Sequence, residues 1–220
     1  MRRYLVVLLV AAGSRSAAAQ TCTGNLPFSY GRFHLAANLA VDKLAQQYTG
    51  EFRFGTHGVF GAADVGLKTW DITSLHDESN IFGLVAGVEL PLPVAKLSVC
   101  PLFSWTSLSG PQNYVEKAYA AGLTIGYPVL SHSAWGIVPV VAVSVGSRNP
   151  WLKGRDPSFP LPPYWARFCC GRETVSTMSL AVGLGFTQQV TVIPAVGFPL
   201  GANGETTYAL RAALRLGKGP

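Results

Sequence analysis

Residues 114–127 alternate in character. Val115, Lys117, Tyr119, Ala121, Leu123, Ile125 and Tyr127 share one face, and Glu116, Ala118, Ala120, Gly122, Thr124 and Gly126 share the other. Successive side chains of a β-strand point to opposite faces, so this reads as a strand with one apolar face and one small, polar face. The same period predicts ten strands, at about 31–41, 47–55, 59–70, 81–91, 94–106, 114–128, 134–147, 173–187, 190–200 and 205–216. A half-buried sheet in water would place Lys and Glu on its second face, whereas here that face holds Gly, Ala, Ser, Thr and isolated charges. The apolar face therefore looks outward to lipid. The expectation is an all-β, antiparallel, up-and-down transmembrane β-barrel of about ten strands, eight being the next even count to consider. A strand of roughly 9–11 residues crosses a bilayer at a tilt, so a few of these strands extend beyond it.

Connection lengths carry separate information. Those after strands 2, 4, 6 and 8 are short (Gly55 to Gly58, Leu92-Pro93, Val129 to Ser133, Gln188-Gln189), while those at Asp71 to Asn80, Ser107 to Asn113 and Gly146 to Arg172 are longer. Short turns on one side and long loops on the other are the asymmetry of a membrane barrel, with both termini on the short-turn, periplasmic side. On the outward parity, Phe33, Phe54, Tyr127, Trp135 and Phe186 fall at the turn ends, and Tyr48, Phe82, Trp105, Phe198 and Tyr208 toward the loop ends. These are the two aromatic girdles expected at the membrane interfaces.

The first twenty residues read as a leader. Arg2 and Arg3 precede an apolar run from Tyr4 to Ala12, followed by Ser16-Ala17-Ala18-Ala19-Gln20, so residues 1–20 are predicted to be a secretory signal peptide and residues 21–220 the barrel domain. The apolar run is well short of the roughly 20 residues a spanning helix needs. Ala19-Gln20-Thr21 also lacks the small residues expected before a lipidated cysteine at Cys22. The formal charge of +6 misleads, because Arg2, Arg3 and Arg15 leave with the leader and take 17 basic residues to 14, against 11 acidic. Nucleic-acid binding has no electrostatic support in that balance. The 13% of charged residues, about half the usual share for a soluble domain, suits a lipid-embedded chain.

In this pattern, over residues 20–217, the chain resembles the small outer-membrane β-barrel proteins of Gram-negative bacteria. The resemblance implies the outer membrane as location, its lipid as surroundings and the barrel-assembly machinery as partner. It departs at the end: such barrels usually finish on an aromatic residue that the machinery reads, whereas here Leu216 stands in that place and Gly217 to Pro220 follow.

Inward parity collects the candidate chemistry. Arg32, His34, Glu51, Arg53, Asp64, Lys68, Glu89, Lys96, Glu116, Arg211 and Arg215 stand among small residues. Ten strands enclose a narrow interior in which lone charges are costly, so the expected arrangement is a salt-bridge network that fills the lumen. The sharper alternative is a narrow, porin-like passive channel whose mixed charges set selectivity.

Four cysteines in an oxidising compartment allow three pairings. Cys22 lies near the mature N-terminus, Cys100 points inward, and Cys169-Cys170 adjoin in the longest loop. A Cys22–Cys100 disulfide requires only that the N-terminal segment fold into the barrel mouth. With no CxxC and with His34, His57, His76 and His132 scattered, no metal or other cofactor is expected.

Two function classes follow. The first is a structural or surface-recognition barrel acting through its outer loops. Residues 148–172 are the foremost candidate, because Trp151, Arg155, Tyr164, Trp165 and Arg167 are side chains favoured in recognition surfaces. The second is the passive channel. A remote third is an outer-membrane hydrolase using Asp71, His76, Asp77 and Glu78, acids beside a histidine that could activate water as in the omptin proteases. No GxSxG or HExxH motif supports it, and the chain is expected to be no enzyme. Nothing in the sequence names a surface ligand.

Overall fold

In hydrocarbon every backbone N–H and C=O must find its partner within the protein, and a closed ring of strands meets that demand without leaving an edge. The computed structural model, which describes residues 21–24, 33–56, 58–72, 75–92, 97–110, 114–131, 135–153, 171–186, 189–201 and 205–216, has this form. Ten long strands make it: β1 Phe33–Val41, β2 Ala45–Thr56, β3 Val59–Ile72, β4 Leu75–Val88, β5 Leu97–Ser109, β6 Tyr114–Gly126, β7 Gly136–Leu152, β8 Glu173–Gly185, β9 Val190–Pro199 and β10 Thr207–Leu216. Each pairs antiparallel with its sequence neighbours. β10 returns to β1 in register from Phe33↔Leu216 to Val41↔Tyr208, and the barrel closes. Among the described residues no helix is long and apolar enough to cross a membrane.

The alternation sorts side chains as their chemistry demands. Phe33, Tyr48, Phe82, Tyr119, Leu123, Leu180 and Tyr208 are exposed on the outer wall, while His34, Thr49, Phe60, Cys100, Thr124 and Thr191 are buried within. Members of both expected girdles, Phe54, Tyr127, Trp135 and Phe186 at the turn end and Tyr48, Phe82 and Tyr208 toward the other, lie exposed on that wall. The end holding Phe33 and Leu216 is called proximal below, and the opposite end distal.

Strand ends differ from expectation mainly at the distal side. β4 begins at Leu75 rather than near residue 81, and the expected loop at Asp71 to Asn80 is mostly a paired hairpin with Asp71 opposite His76 and Ile72 opposite Leu75. β7 runs on to Leu152, with Trp151 opposite Val115 and Arg148 opposite Ala118. Trp151, expected in a loop, is therefore a sheet residue. β3 to β8 carry 14, 14, 13, 13, 17 and 13 residues. That exceeds the roughly 9–11 needed to cross, so this flank of the wall rises well past the bilayer. At the proximal end, β4 stops at Val88, and Leu90–Leu92 forms a short spur on Leu97–Val99 where a two-residue turn was expected.

The lumen as candidate functional site

The interior is built from the inward parity of every strand, and its charged residues gather in two groups. The proximal group centres on Glu51 of β2. One carboxylate oxygen, Oε1, accepts from Arg53 Nε at 3.0 Å and from Arg211 Nη2 at 2.8 Å, the second reaching across the β10–β1 closure. Arg53 and Arg211 keep only 8% and 13% of their side-chain surface exposed, so the shared carboxylate offsets two guanidinium charges in a largely dry setting. The Arg53 guanidinium also lies 5.5 Å from the centre of the Phe60 ring. Phe60 fits because Gly87 faces it, and any Cβ at position 87 would run into the ring. Gly83 likewise gives up its side-chain space to the carboxylate of Asp64. Arg215, His34 and Glu89 are buried in the same proximal half.

The distal group is separate. Lys68 Nζ sits 4.0 Å from the centre of the Trp70 ring, and Tyr114 donates its hydroxyl to Glu116 Oε2 at 2.7 Å. At the rim Arg148 pairs with Glu173 at 2.7 Å, and Arg172 donates to Ser147 Oγ. The expected single network is therefore divided: among the described residues no ion pair joins Lys68 or Glu116 to the Glu51 group. The cause is distance along the strands, since Lys68 lies four residues distal to Asp64 and its ammonium is drawn to an indole face instead. Arg148 was not anticipated, because strand 7 was expected to end before it. Arg32 and Lys96 lie outside the described residues, as do residues 1–20, Arg155, Tyr164, Trp165, Arg167, Cys169 and Cys170. Trp151 is described; its outward ring stands 5.6 Å from Lys117 Nζ across the β6–β7 pair.

A third component fills the proximal mouth. Residues Thr21–Thr23 form a short 3-10 turn inside the barrel, and Cys22 is joined to Cys100 by a disulfide. The buried sulfurs pack with Phe60 and Val85. Gly24, at φ +80, presses its backbone against Gly183 of β8 and lies under Ile193 of β9. The segment thus touches inward residues from β3 round to β9. The close approach of the Gly24 carbonyl is the reason Gly183 carries no side chain. Gly183→Val is expected to unseat residues 21–24 while leaving the β7–β8 ladder intact. Non-reducing peptide mapping should then find a substantial fraction of Cys22 and Cys100 as thiols, and a fully formed bridge would contradict the close approach.

Among the described residues one group of three side chains has metal-ligand geometry, Cys22, Glu89 and Cys100. Its two sulfurs are bonded to each other, so neither offers the thiolate a soft metal needs, and the Cys22 sulfur is equally closed to lipid attachment.

No protein-family model matches the chain, and no curated protein matches it in sequence. The likeness to solved structures is one of shape. The β domain of the Bordetella autotransporter BrkA superposes with a TM-score of 0.57 at 8% identity, over 84% of this chain and 99% of that one. The translocator domain of the autotransporter NalP from Neisseria meningitidis gives 0.39 at 12% identity, over 84% and 88%. A loop-deletion mutant of OmpT, an outer membrane protein of Vibrio cholerae, gives 0.39 at 9% identity, and this chain spans 77% of its own length but only 53% of that protein's. A closed ten-stranded antiparallel barrel with an aromatic-edged apolar wall, matched in shape by the BrkA domain, has the fold of the outer-membrane barrels of Gram-negative bacteria.

Proposed function

We propose that the chain is exported by residues 1–20, loses them, and serves in the outer membrane as a non-conducting barrel that presents its distal loops for recognition. The observation that carries this reading is the N-terminal segment seated across the lumen and bolted to the wall through Cys22–Cys100. A transport path would have to pass both that segment and the Glu51–Arg53–Arg211 group above it. With the lumen so filled, the surface left to act is the distal one. The sequence that follows Trp151 of β7 carries Arg155, Tyr164, Trp165 and Arg167, the aromatic and guanidinium groups that dominate recognition surfaces. On this reading the chain catalyses no reaction and holds no cofactor.

Two measurements on one preparation test it. Purified protein in planar bilayers is expected to give no steady conductance, and a reproducible ion-selective current would promote the channel instead. A cysteine placed at Ser158 is expected to react with an impermeant reagent on intact cells, and one at Gly58 only after permeabilisation. The reverse labelling would put the candidate recognition loop on the wrong side.

A further inference from the structure

The Glu51 group holds more donors than its acid can satisfy. Both guanidinium groups spend one N–H on the same oxygen, Oε1. Arg53 Nη1 and Arg211 Nε and Nη1 are buried and have no hydrogen-bond partner in the protein. Arg53 is more than nine-tenths buried. Asp64 is the Cα partner of Glu51, but its carboxylate turns to the space over Gly83 and makes no ion pair with either arginine.

Register supplies a further donor. Arg211, Asn38 and Thr49 stand in one cross-strand row over β10, β1 and β2, all facing the lumen. Asn38 Nδ2 donates to Thr49 Oγ1 at 3.1 Å, which leaves the threonine hydroxyl hydrogen to point elsewhere. The inward neighbours along these strands, Ala36, Ala209 and Ala213, carry no side-chain polar atom that could take up these donors. Unsatisfied guanidinium N–H groups are expensive when buried, and their planar fork matches the oxygens of a phosphate, sulfate or carboxylate.

We propose that Arg53 and Arg211, with Thr49 beside them, form a lumenal binding site for a small oxyanion. The anion accepts from Arg53 Nη1, from Arg211 Nη1 and from the Thr49 hydroxyl, while Glu51 stays between the two arginines and limits the affinity. The site does not depend on whether the barrel conducts.

The probe is inorganic phosphate, titrated into the full-length folded barrel in zwitterionic detergent, with chloride at matched ionic strength as reference. Calorimetry is expected to show saturable, one-site binding, and phosphate is expected to raise the unfolding temperature where chloride does not. Arg211→Gln should weaken binding by roughly tenfold or more, the loss of one charge-assisted contact. Glu51→Gln should tighten it by a similar factor, because it removes the competing carboxylate. Arg148→Gln at the rim should leave it unchanged. If Arg211→Gln does not fold, Arg211→Lys, which keeps the charge but loses the planar fork, is expected to bind less tightly than the parent. No saturable heat with the parent protein, or the same affinity in the Arg211, Glu51 and Arg148 variants, overturns the proposal.

Discussion

Glu51→Gln is expected to cost the folded barrel about 3–5 kcal/mol, the range found when one partner of a buried ion pair is removed and the other charge is stranded. The magnitude follows from the geometry. Glu51 Oε1 is the acceptor for Arg53 at 3.0 Å and for Arg211 at 2.8 Å, so a neutral carboxamide strands two guanidinium groups and sets them against each other. Ion pairs between exposed side chains are worth far less, and Glu78→Gln on the outer part of β4 should leave the unfolding midpoint where it was. Denaturant unfolding of the refolded protein in vesicles measures both. The double change Glu51→Gln with Arg211→Gln should recover part of the loss, because it leaves one stranded cation in place of two, and its coupling energy isolates the pair. If Glu51→Gln and Glu78→Gln prove equally mild, the proximal group is hydrated like a surface and contributes little to stability.

The parts of this fold that were legible in the sequence are those where one face of a strand meets lipid. Leu123, Ile125 and Tyr127 against Gly122, Thr124 and Gly126 give a period of two that only a wall between two unlike media imposes, and the structure keeps that parity. Beyond the bilayer the outward face of a strand meets water instead of lipid, so the hydrophobic period fades while the hydrogen-bond ladder continues. That is why His76 to Asn80 read as loop although it pairs with Leu67 to Asp71, and why β7 seemed to end before Arg148 and Trp151. Pro150 brings no N–H to the ladder, yet it stands within β7 opposite Glu116.

Site residues divide in a comparable way. Parity tells which face a charge is on, and it placed Glu51, Arg53, Arg211 and Cys100 inside. It does not tell how far a side chain reaches. Glu51 and Asp64 are cross-strand neighbours, yet Glu51 bonds to Arg53 two residues along its own strand and to Arg211 two strands away. The Cys22–Cys100 link needed only an inward cysteine and a second one in the segment before the first strand. The fit of Gly24 to Gly183 needed the curvature of the closed wall, which no local pattern encodes.

Leu123→Arg tests the outer wall, with an expected cost of about 2–4 kcal/mol if the residue lies near the bilayer midplane. Its placement follows from the aromatics four residues to either side, both exposed: Tyr119 on the outward face of β6 and Tyr127 one residue past its end. A strand rises about 3.3 Å per residue, and at a tilt near 45° eight residues cover roughly 19 Å, most of the roughly 25 Å apolar band of such barrels. The guanidinium at position 123 would have to snorkel past one of the tyrosine rings to reach water, or stay among acyl chains. Leu123 pairs with Pro101 and Val143, so no acid stands beside it to take the charge. Ala120, on the same strand but facing the lumen, has Gly146 and Ser104 as cross-strand neighbours, and Ala120→Ser should be tolerated there. Folding into vesicles of defined thickness, followed by the heat-dependent gel mobility of the closed barrel, reads both variants. Equal tolerance at positions 120 and 123 would mean that the two faces do not meet different media, and the membrane assignment would fall with it.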